Sequence, residues 1–62
     1  MDKDKLYRAI EEQMDTLFDL KDDVTSLINR AKEAGFDLMA QDLEDAYDSI
    51  RSAIRAYSRA SK

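Results

Sequence analysis

The side chains that could carry chemistry in this chain are mainly carboxylates. Glu11, Glu12 and Asp15 fall at helical i, i+3 and i+4 spacing, Asp19, Asp22 and Asp23 do the same, and Asp42, Asp45 and Asp48 recur every three residues. Oxygen-rich sets of this kind suit hard cations such as Mg²⁺ or Ca²⁺. None of them matches a built site. The chain has no histidine, so the Glu-x-x-His unit of a diiron bundle cannot form. It also lacks the glycine-bearing loop of an EF-hand. These acids therefore read as solvated helix faces, and no metal or other cofactor is expected.

Nucleophilic chemistry fares no better. Thr16, Thr25, Ser26, Ser49, Ser52, Ser58 and Ser61 have no histidine to act as base. There is no glycine-rich turn to hold an oxyanion, because the chain contains a single glycine. Lys21 and Lys32 stand beside acids in sequence, the ordinary state of a surface lysine. The expectation is a protein that is not an enzyme.

Cations are distributed unevenly. From Ser49 to Lys62 there is no acid, and Arg51, Arg55 and Arg59 line up four residues apart with Lys62 near the same side. Such a ridge could contact the phosphates of nucleic acid, with Tyr57 assisting. The plainer reading pairs these arginines with acids on a neighbouring helix. The overall charge of −4 argues modestly against non-specific binding to nucleic acid or anionic membrane. It also raises a third idea, an acidic inhibitor occupying a partner's nucleic-acid site.

The elements that must position these groups are helices. Leu6, Ile10, Leu17, Leu20, Val24, Leu27, Ala31 and Ala34 form one apolar stripe, stepping 3, 4, 3, 4, 3 from Leu17 onward. Gln13 is the one polar interruption; Met14 and Ile28 widen one flank and Phe18 lies near the other. A second stripe runs Met39, Leu43, Ala46, Ile50, Ala53, Tyr57 and Ala60, widened by Tyr47 and Ile54. The stripes are out of phase, and the phase change falls at Gly35. A glycine there can take the left-handed conformation that ends a helix, with Phe36 folding back and Asp37 capping the next helix. Asp2 or Asp4 can cap the first helix. The expected fold is all-α: an antiparallel two-helix hairpin in one domain, residues 1–62. Helix 1 covers about 3–34, the turn 35–37 and helix 2 about 38–60.

Chain reversal at Gly35 and Phe36 sets Leu43 beside Ile28, Tyr47 beside Val24, Ile54 beside Phe18 and Tyr57 near Met14. It also brings Arg51, Arg55 and Arg59 near Asp19, Asp15 and Glu12. Helix 1 overhangs helix 2, leaving Leu6 and Tyr7 without a partner. So short a chain buries little surface, and it has no cysteine for disulfides. Two helices cannot cover two wide stripes. The expectation is a homodimer closing a four-helix bundle and working by protein–protein interaction, as a regulator or adaptor. Leu6, Tyr7, Met14, Phe18, Ile28, Phe36, Met39, Tyr47, Ile54 and Tyr57 are the expected interface with a second copy or another protein. The charged N-terminus does not resemble a signal peptide, no segment has the apolar length of a membrane span, and the absence of cysteine suits a reducing compartment. A cytoplasmic location is expected.

Overall fold

The computed structural model describes residues 2–62, which form two α-helices joined by a tight turn. The first helix, α1, spans Lys3–Glu33, and the second, α2, spans Asp37–Ala60. Asp2 caps α1 by accepting a bond from the Asp4 amide at 3.2 Å. Of the two candidate caps, Asp4 instead lies in the first turn, where its charge suits the helix dipole.

The turn is a Schellman motif. Gly35 has φ +81° and is the only described residue with positive φ. With Ala34 as C-cap, the Gly35 amide donates to the Lys32 carbonyl at 3.1 Å and the Phe36 amide to the Ala31 carbonyl at 2.9 Å. The expected cap of α2 is corrected. Phe36, not Asp37, occupies the cap position, and it makes no side-chain cap bond. The turn is shifted one residue toward the N-terminus, to residues 34–36, so Asp37 is already the first helical residue. There its carboxylate acts on the dipole.

The packing has a clear column logic. On α1, Tyr7, Met14, Lys21 and Ile28 form an inner column repeating every seven residues, and Ile10, Leu17, Val24 and Ala31 form a second. Their counterparts are Ala40, Tyr47, Ile54 and Ser61, and Leu43, Ile50 and Tyr57, on and just past α2. All of these positions are buried or half-buried, and together they make the seam between the helices. Buried apolar residues are few: Val24, Ile28, Ala31 and Ala40, each still 3–9% exposed.

Two contacts pin the register. Lys32 Nζ lies 3.1 Å from Glu44 Oε1 near the turn. The Tyr57 hydroxyl donates to Gln13 Oε1 at 3.4 Å toward the open end. The result is a rod, 51 × 14 × 13 Å, with a radius of gyration of 14.8 Å. A compact globule of this length would have a radius near 11 Å.

Candidate interaction surface

The apolar stripes are not centred on the seam. The seam uses the inner column together with the neighbouring one. A third column, adjacent in sequence to the inner one, remains outside: Leu6, Gln13, Leu20, Leu27 and Ala34, then Met39, Ala46, Ala53 and Ala60. Leu6, Leu20, Leu27 and Met39 are 49%, 45%, 42% and 54% exposed, whereas Val24 and Ile28 beside them are buried. Every member of this outer column is exposed except Ala53, which is half-buried. The sequence stripes therefore combine one seam column with one surface column on each helix.

Both outer columns lie on the same face of the hairpin, as an antiparallel pair requires. Leu27 from α1, its C-cap Ala34 and Met39 from α2 line one open groove of about 560 Å³ at the turn end, together with Ala31, Leu43, Arg30, Glu33 and Phe36. The opposite face is polar. It carries Glu11, Thr25, Arg51, Ser58 and the Lys32–Glu44 ion pair, with Phe18 its one large apolar residue. Phe18 is 44% exposed, and Lys21 Nζ sits 5.2 Å from its ring centroid, a cation–π distance.

The expected interface set divides accordingly. Leu6, Phe18, Phe36 and Met39 are exposed. The expectation that Ile28 stays exposed is corrected, since it is buried in the hairpin. Met14, Tyr47, Ile54 and Tyr57 are half-buried on the same seam, and Tyr7 is half-buried with Lys3 Nζ 5.8 Å from its ring. The cause is rotational: Met14 and Ile28 define the inward direction rather than a flank. Leu20 and Leu27, placed by the sequence at the centre of the stripe, are the residues left outside. Their exposure was missed because seam and surface columns are equally apolar. Leu38, 78% exposed, also went unnoticed because it lies outside both stripes.

Charged groups are arranged more loosely than expected. Arg51, Arg55 and Arg59 form no ion pair with Asp19, Asp15 or Glu12. Among the described residues only Lys32 and Glu44 approach within 4 Å. Arg51, Arg55, Arg59 and Lys62 are all exposed. No three described Asp or Glu residues gather closely enough to hold a metal ion. Three hydroxyls are engaged by their own backbone: Thr16 donates to the Glu12 carbonyl at 3.2 Å, Thr25 to that of Lys21 at 3.1 Å and Ser61 to that of Ser58 at 3.0 Å.

The fold and this surface define a class: a small all-α hairpin with one polar face and one apolar face. No described helix is long and apolar enough to cross a membrane. No protein-family model, curated protein or solved structure matches the chain.

Proposed function

We propose that this chain is a non-enzymatic interaction module that associates with a second copy through its outer apolar face, closing a four-helix bundle. The observation that carries this reading is the exposed column Leu6, Leu20, Leu27 and Met39 beside a core of only four buried side chains. Fully burying an exposed leucine contributes about 1.5–3 kcal/mol; Leu6, Leu20 and Leu27, 49%, 45% and 42% exposed, have roughly half of that left to gain, and few other sources of stability are available to a chain of this size. The alanines at 46, 53 and 60 would let a second pair of helices approach closely.

Surface area supports the same reading. The chain exposes 4926 Å², against about 4,100 Å² for a compact monomer of its mass. The excess of about 800 Å² equals one partner's share of a standard interface. An associating fold should melt at a temperature that rises with concentration. Circular dichroism melts from micromolar to millimolar protein test this, and a concentration-independent midpoint would contradict it.

One observation favours a second reading. Arg51, Arg55, Arg59 and Lys62 are exposed and free of carboxylate partners within 4 Å, as phosphate contacts require. This ridge lies on the sides of α2 away from the outer apolar face, so the two surfaces do not compete. Fluorescence anisotropy with single- and double-stranded oligonucleotides at low salt tests it. Binding should fall steeply with added salt and on replacing the three arginines with alanine. No binding at low salt removes this reading.

A further inference from the structure

The apolar face leaves open how the two copies are oriented. Turn ends could meet turn ends, or each turn could meet the other copy's open end. Charge separates these choices. Residues 19–50, the turn half of the rod, carry nine Asp or Glu and three Lys or Arg, a balance of −6. Residues 1–18 with 51–62, the open half, carry five acids and seven bases, a balance of +2. A parallel pair would set two −6 halves side by side. An antiparallel pair sets each −6 half against a +2 half. Helix axes in a bundle stand about 8–10 Å apart, so the charges bordering the interface come within about one Debye length at physiological salt and bias orientation even though each pair is weak.

Shape points the same way. The outer column of α1 is symmetric about its middle: Leu20 at the centre, Leu6 and the Ala34 cap at the ends, Gln13 and Leu27 between. A two-fold axis crossing near Leu20 places the protruding Leu6 of one copy over Ala34 of the other. That is where the groove of about 560 Å³ opens beside Met39. A large side chain then meets a small one in a hollow. In the parallel arrangement Leu6 would meet the open end of the second copy, away from that groove.

Resting on the self-association reading above, we infer that two copies of this chain pack outer face to outer face with antiparallel long axes, the two-fold axis passing near Leu20 and Leu6 of each copy seated in the other's turn-end groove. The tips are then far apart. At 1.5 Å per residue, Leu20 to Ala34 spans about 21 Å along the axis, so the two turns stand about 42 Å apart.

Pulsed dipolar spectroscopy on the spin-labelled protein with one introduced cysteine tests the arrangement, since the sequence has no cysteine of its own. Asp37→Cys labels the turn and Asp19→Cys labels the middle; both residues are exposed and outside the outer column. The expected result is about 40–50 Å between labels at 37 and about 25 Å or less at 19. Distances of about 25 Å or less at both positions, in a sample of dimer mass, overturn the orientation and leave self-association standing. A sample of monomer mass with no dipolar coupling at either position overturns both.

Discussion

At the residue scale, Gly35 and Gln13 matter most. Gly35 is needed for its backbone alone. Its φ is +81°, and a Cβ placed there would meet nothing within 4 Å. Gly35→Ala therefore costs the left-handed penalty of an L-residue, about 1–2 kcal/mol, without any clash. In a chemically synthesised protein the mirror-image form of alanine at this position fits the same φ and restricts the unfolded state, adding about 0.4–1 kcal/mol. Thermal melts of the two variants should move in opposite directions from the parent. Gln13 is the polar gap in the outer apolar column, held by a long 3.4 Å bond from Tyr57. Gln13→Leu fills the gap and should tighten self-association about tenfold, equivalent to about 1.4 kcal/mol. Dilution isotherms from calorimetry would measure it, and unchanged or weaker association would count against the outer face.

At the element scale, the helices and their break were legible because three signals coincide. Apolar spacing at 3 and 4, the only glycine, and the phase change all fall where α1 ends. The inward side of each helix was not legible. Met14, Ile28, Tyr47 and Ile54 look like flank residues when the stripe is centred on Leu20, Leu27 and Met39. Both columns are apolar, and periodicity alone cannot say which of two adjacent columns meets the other helix. The reversal at Gly35 decides it, through the backbone geometry of the turn. Lys21 adds to the ambiguity, being a charged residue half-buried on the seam. Its stem packs while its ammonium reaches toward Phe18.

The two columns give contrasting expectations. Ile28→Ala removes a buried side chain and should cost about 2 kcal/mol or more, lowering the melting temperature at every concentration. Leu27→Ala, one residue away and 42% exposed, should leave the dilute hairpin nearly unchanged and weaken the rise of its midpoint with concentration. Melts of both variants over a dilution series separate the roles. Equal behaviour would mean that the two columns share one function. The same logic marks Ile54→Asp as a variant that damages the hairpin itself rather than a surface, because Ile54 is half-buried on the seam.

At the scale of the whole molecule, the rod is too open for its size. Seven large apolar side chains, Leu6, Phe18, Leu20, Leu27, Phe36, Leu38 and Met39, stand more than two-fifths exposed, while none of the described side chains is completely buried. The excess of apolar surface over what two helices cover was legible from length and stripe width. The unequal faces were not, because the polarity of the Glu11, Thr25, Lys32 and Glu44 side emerges only once the two helices are set together. The charge division between the ends was likewise invisible in linear sequence. The basic stretch 51–62 acts with residues 1–18 only after the backbone folds back.

The most direct test of self-association is sedimentation equilibrium of the unmodified protein at tens of micromolar and physiological salt. A second copy on the outer face predicts a species of twice the 7.1 kDa chain mass. That species should be lost on changing Leu20 and Leu27 together to aspartate, while dilute helicity is kept. A folded species of 7.1 kDa across that concentration range would contradict it.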